Sequence, residues 1–145
     1  MQTLESLFRR FARRSNARWW AGKRPDVREG QLAKAVARQV DLPTSSEDPF
    51  VGKRLVTLDR NAAAHVLAVA GTTSLAHGRL SPSAGFVRET KEALTDLSDD
   101  ATFLSNGYWI GNAFSWNSMT SATFDCGVIG FDRENAFIFW VEEED

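Results

Sequence analysis

Residues 122–142, ATFDCGVIGFDRENAFIFWVE, decide how the chain is built. Two runs rich in aromatic and β-branched residues, Ala122–Phe131 and Ala136–Glu142, flank Asp132–Asn135, a polar segment of turn-forming residues. That arrangement predicts an antiparallel hairpin closed by a four-residue turn. Working back from it, Tyr108–Phe114 and Thr102–Leu104 read as further short strands, separated by Asn106-Gly107 and Asn117-Ser118. Ten of the sixteen aromatic residues lie between Phe103 and Trp140, so the C-terminal third carries the sheet.

Upstream of Asp100 the apolar period changes from that of strands to that of helices. Leu4, Leu7, Phe8 and Phe11 make one stripe of a first helix opened by Thr3 or Ser6, with Arg9, Arg10, Arg13 and Arg14 on its other side. Ser15-Asn16 ends it before Trp19-Trp20 and the turn Gly22–Pro25. A second helix, Arg28–Val40, has Leu32, Ala33, Val36 and Val40 on one face. Asp59 is the N-cap of a third, Arg60–Ala76, which is apolar nearly all round and therefore central. Ser83 or Ser81 starts a fourth, whose buried stripe is Phe86, Thr90, Ala93, Leu94 and Leu97. Arg54–Leu58 is either a short strand or an extended entry to the third helix. Helices first and strands last predict an α+β domain, N-terminal amphipathic helices packed on one face of a small C-terminal antiparallel sheet. The 145 residues make one domain in three parts: a basic helical part to residue 43, central helices over 44–100, and aromatic-rich strands with an acidic tail over 101–145.

Charge is segregated along the chain. Residues 1–40 hold ten basic and three acidic residues, whereas residues 41–145 hold seven and sixteen. The single cysteine, Cys126, excludes an internal disulfide and fits a reducing compartment, and no apolar stretch approaches a membrane span. Met1–Trp20 has the composition of a transit peptide, yet the expectation is a cytoplasmic protein that keeps this segment.

No catalytic or metal motif stands out. His65 and His77 are twelve residues apart, about 120° around a helix, and have no further ligands at recognisable spacing. Cys126 lies in an acidic, apolar neighbourhood unsuited to a reactive thiol. Neither cofactor nor metal is expected, and the glycines fit no phosphate loop. An alternative is a small enzyme whose site joins His65 or His77 to Asp59 or Asp125. Another is a nucleic-acid or membrane adaptor working through Arg9–Trp20, which the acidic remainder and an isoelectric point near 5.7 disfavour.

The segment Ser105–Ser121, SNGYWIGNAFSWNSMTS, combines rigid aromatics with small hydrogen-bonding residues and has no charge. It suits a recognition surface and equally suits two strands of a core sheet. The candidate partner-binding residues are Tyr108, Trp109, Trp116 and Asn117, together with Asp132, Glu134, Glu142, Glu143, Glu144 and Asp145 from an acidic sheet edge. For the last four the alternative is a solvated, mobile gatekeeper following a sticky strand.

The C-terminal segment GVIGFDRENAFIFWVEEED resembles the small immunity proteins of bacterial polymorphic-toxin and type VI secretion systems, which often end in a hairpin running into an acidic tail. The resemblance implies a non-enzymatic partner of one cognate toxin or effector, bound at its active site or locked in one conformation. The Arg-rich first forty residues depart from that pattern.

Overall fold

The computed structural model of the chain describes all residues except 46–47, 51–54, 77–80, 111–112, 117 and 145. In chain order the elements are α1 (Gln2–Ala12), β1 (Ala17–Lys23), α2 (Glu29–Arg38), β2 (Val56–Leu58), α3 (Arg60–Thr72) and α4 (Ala84–Ala93). A short 3₁₀ turn, Leu94–Asp96, follows. The remainder is β3 (Thr102–Ser105), β4 (Gly107–Ile110), β5 (Ala113–Trp116), β6 (Phe124–Phe131) and β7 (Asn135–Glu143). Five strands form one antiparallel sheet in the order β1-β7-β6-β3-β2, and β4 and β5 form a separate two-stranded ribbon. The α+β expectation holds, with the β6–β7 hairpin where the 122–142 stretch places it.

β7 organises the core. Along it, Phe137, Phe139 and Val141 point into a cluster with Leu4, Leu7, Phe8 and Phe11 of α1 and the apolar residues of α3. The intervening Ala136, Ile138 and Trp140 point the other way and join Leu32, Val36 and Ala37 of α2. The sheet carries helices on both faces, α1 and α3 on one, with α4 behind α3, and α2 on the other, so the expectation of helices on one face only is corrected. A strand buried on both sides has no need to alternate apolar with polar residues, which explains the unbroken run Ala136–Val141. Opposite Trp140 stands Gly127. A Cβ there would collide with the Phe139 carbonyl and approach the Trp140 ring to 2.7 Å, so glycine makes room for the indole.

Partial cover on both faces explains β1, half-buried over residues 17–22, which local pattern does not reveal. Ala17–Lys23 pairs along its whole length with β7. Trp19 packs on the α1 side, with its ring centroid 5.9 Å from that of Phe8, and Trp20 belongs to the α2 side. A Trp-Trp pair is a strand signal only once both faces are covered. The 108–114 stretch is also corrected, from one strand to the two paired strands β4 and β5.

Caps fix the helix ends. Asp59 accepts the Ala62 amide at 2.7 Å and Ser83 that of Phe86 at 3.2 Å, as the sequence predicts. For α1 neither Thr3 nor Ser6 does so. The helix begins at Gln2, and the Asp96 carboxylate accepts the Leu4 amide at 2.9 Å, a tertiary cap from 92 residues away that local sequence cannot show. Arg60, in the first turn of α3, donates to the carbonyls of Leu94 and Ser98, both at 2.6 Å, and its guanidinium stands 5.3 Å from the Phe103 ring centroid. It thereby fastens α3 to the end of α4 and to the sheet. Arg60→Ala is expected to cost about 2 kcal/mol by orphaning two carbonyls and losing the ring contact. Chemical denaturation measures this, and Arg60→Lys should recover only part of the loss because it lacks the planar fork.

Candidate binding surface at one end of the sheet

β3 and β6 are antiparallel, with Thr102 opposite Phe131, so the chain leaves β3 at the end of the sheet where β6 begins. The excursion from Ser105 to Phe124 contains the β4–β5 ribbon. Among the described residues no other helix or strand packs extensively against that ribbon. Its register pairs Gly107 with Trp116, Tyr108 with Ser115, Trp109 with Phe114 and Ile110 with Ala113.

Both roots of this excursion converge on one buried side chain, Asp125. Its Oδ1 accepts Asn106 Nδ2 at 2.8 Å, Trp140 Nε1 at 3.0 Å and the Met119 amide at 3.1 Å. Its Oδ2 accepts the Thr120 hydroxyl at 3.1 Å and the Thr120 amide at 3.2 Å. Asn106 enters the ribbon and Met119-Thr120 leave it, so a single carboxylate clamps the two ends together. Nearby, Ser105 Oγ donates to the Gly127 carbonyl at 2.7 Å. The loop after α2 joins in, with the Thr44 amide donating to the Met119 carbonyl at 2.9 Å and the Ser45 hydroxyl to that of Ser118 at 3.0 Å. Burial pushes the Asp125 carboxyl above its ordinary 3.8, and the hydrogen bonds from Trp140, Met119 and Thr120 pull the other way without cancelling it. Asn106 Oδ1 is buried and has no hydrogen-bond partner among the described residues. Asp125 thus holds structure, and its neighbour Cys126 is fully buried with its thiol pushed far up by burial and then by the Asp125 charge.

The acidic residues separate into two groups. Asp132 and Glu134 lie in the β6–β7 turn, at the end of the sheet opposite the ribbon, and Glu142–Glu144 lie at the ribbon's end. At about 3.4 Å per residue, β7 keeps the two groups roughly 27 Å apart. β7 lies between β1 and β6, so the expectation that these acids line a sheet edge is corrected. Asp132 is almost wholly buried. Its carboxylate accepts the amides of Glu134 and Asn135, both at 2.8 Å, and that of Ser98 at 2.9 Å. Burial pushes its carboxyl up, but the amides of Ser98, Asn135 and Glu134 outweigh this and hold it below the usual range. Asp132 is therefore a turn-former, and Glu134 is exposed.

The mobile-tail alternative is corrected as well, because β7 continues to Glu143. Arg18 Nε donates to Glu142 Oε1 at 2.6 Å, while Arg18 Nη1 reaches the Val40 carbonyl at 3.0 Å. Glu143 accepts the Ser74 hydroxyl and, at 2.7 Å, the Leu75 amide. Glu144 is exposed and accepts the Thr123 hydroxyl at 2.6 Å. Glu142 and Glu143 also line a cleft of about 340 Å³ shared with the C-termini of α1 and α3. The backbone of Tyr108, Trp109 and Trp116 lies in the ribbon, at this same end. Asn117 and Asp145 lie outside the described residues, as does His77. His65 is half-buried within α3, and Asp59 is committed to capping that helix. No three His, Cys, Asp or Glu residues come together as a metal site among the described residues, and no described helix is long and apolar enough to cross a membrane. Sequence reasoning placed Asp125 only as an acid partner for histidine. Its role depends on donors at 106, 119, 120 and 140, which no local pattern brings together.

Comparison with protein-family models, with curated proteins and with solved structures finds no match in any of the three.

Proposed function

We propose that the chain is a non-enzymatic binding protein, an immunity protein that neutralises one cognate bacterial toxin or effector. The observation that carries this reading is the β4–β5 ribbon: uncharged, rich in aromatics, set apart from the main sheet, and clamped at both roots by Asp125. A ribbon with fixed roots offers large rigid aromatics at low entropic cost, the property expected of binding anchors. The resemblance of the C-terminal segment to immunity proteins supplies the class of partner. Of the acidic residues, Glu144 lies at the ribbon's end of the sheet and suits steering of a basic effector surface. Glu142 and Glu143 support that end through their internal bonds.

The test is co-expression with the product of the adjacent upstream gene. Formation of a stable complex, together with rescue of bacterial growth from that product, is the expected result. Replacing Trp109 and Trp116 together by alanine should weaken the complex by at least about 100-fold, because hot-spot aromatics contribute about 2 kcal/mol or more each. A neighbouring product that is harmless and unbound refutes the reading. Undiminished affinity of the double variant refutes the ribbon as its site.

A further inference from the structure

The main sheet has two edges of unequal character. β2 is three residues long and passes at once into the Asp59 cap, so it offers little to pair with. β1 is seven residues long, contains no proline and has no bulge in its register with β7. The Glu142 amide donates to the Asn16 carbonyl at 3.1 Å, and the Arg24 amide to the Glu134 carbonyl at 2.8 Å. Alternation between these two bonds turns the backbone groups of Arg18, Trp20 and Gly22 toward β7. The N–H and C=O groups of Ala17, Trp19, Ala21 and Lys23 are left facing outward. Among the described residues no strand lies beyond them and no backbone bond reaches them.

Natural sheets blunt such an edge with prolines, bulges or charges. Here only charge is present, and it is mainly basic. Arg9, two-thirds exposed, stands over Trp19 with its guanidinium 5.8 Å from the ring centroid. Arg13 is exposed on the same helix, and Lys23 is exposed at the strand's end. Glu5 answers Arg9 weakly, at 3.8 Å. Past Lys23 the edge opens into a cleft of mixed charge, where Arg24 and Arg133 stand with Asp26 and Glu134 beside Val27, the one exposed large hydrophobic among the described residues.

The geometry points to the β1 edge as a docking site for an extended acidic segment of a partner protein, added as a sixth, antiparallel strand. Main-chain bonds to Ala17, Trp19, Ala21 and Lys23 would hold it, and Arg9, Arg13 and Lys23 would select its acidic side chains. An apolar residue following those acids would meet Val27. Charge decides against a second copy as occupant, because antiparallel pairing of two β1 strands would add one basic edge to another. This site uses no residue of the β4–β5 ribbon, so it stands or falls separately from the reading above.

The test uses a fluorescein-labelled synthetic octapeptide alternating glutamate with valine, and a lysine–valine counterpart, read by anisotropy at low salt. The acidic peptide should bind and the basic one should not. Ala21→Pro removes one outward N–H without touching the β1–β7 ladder, and should weaken binding at least tenfold while the amides of Arg18, Trp20 and Gly22 keep their exchange protection. Arg9→Glu with Lys23→Glu, both at exposed positions, should do the same, with a circular dichroism spectrum and cooperative unfolding that show the variant folded at the assay temperature. Failure of the acidic peptide to bind overturns the proposal, as does equal binding of the basic peptide or by the charge-reversed variant. Self-association that Ala21→Pro abolishes would assign the edge to a second copy and likewise overturn it.

Discussion

Asp125→Ala will lower the free energy of unfolding by about 3 kcal/mol, a large share of the 5–15 kcal/mol typical of a domain. The variant orphans Trp140 Nε1, Asn106 Nδ2 and the Met119 and Thr120 amides in a buried setting. Relief of the cost of burying a carboxylate returns part of the loss, which keeps the figure below a simple sum over the bonds. Asp125→Asn is the sharper variant. Every group facing the carboxylate is a donor, so an amide NH₂ placed there must oppose at least one of them, and about 2 kcal/mol is expected. Amide exchange should accelerate at Met119 and Thr120 well before it does in β7. Acid titration supplies an independent sign. Because the folded-state value of Asp125 is raised, its contribution to stability is complete below the ordinary 3.8 and is lost as pH rises through the folded value. Asp132, held below the usual range, behaves oppositely: its contribution is present above the unfolded value and lost as pH falls through the folded one. Asp125→Asn should therefore flatten the decline in stability on the rising side of 3.8 and leave the loss at lower pH in place. Equal slopes in wild type and variant would remove Asp125 from the account.

The second large effect is expected at Phe8. Its ring is fully buried, with centroids 4.9 Å from Phe139, 5.4 Å from Phe137 and 5.9 Å from Trp19. It is the contact through which α1 holds the two strands that the sequence places farthest apart, β1 and β7. Phe8→Ala should cost about 4 kcal/mol, from lost transfer energy and from a cavity bounded by sheet backbone that cannot collapse. Equilibrium denaturation should show a lower midpoint with an unchanged slope. Phe8→Leu, which fills most of the volume, should recover more than half. If the alanine variant loses less than 1 kcal/mol, α1 is not the main cover of that face.

These residues also show what local sequence can reveal. Asp59, Ser83 and the Asp132–Asn135 turn are legible because their partners lie within a few positions, so capping and turn chemistry suffice. The Leu4–Phe11 stripe is legible because a helix repeats its own pattern. β1 is hidden because Trp19 and Trp20 point to opposite faces, and whether both are buried depends on α2 covering the far side of the sheet. The tail read as mobile because four consecutive acids look solvated. Arg18 and the Leu75 amide, which tie Glu142 and Glu143 down, come from elements far away in the chain. Asp125 is hidden for the same reason. The ribbon is intermediate: its strand-forming composition is legible, while its division into two strands and its separation from the main sheet required the topology.

Closing both ends of the 107–118 excursion on one carboxylate divides the work of the chain. The residues that hold the clamp, Asn106, Met119, Thr120, Asp125 and Trp140, lie outside the excursion, so its length and side chains can be exchanged without unmaking the body that carries it. Loop grafting between those anchors is thus the natural way to display a foreign segment on this scaffold, since a long insertion there adds only slowly to the entropy of closure.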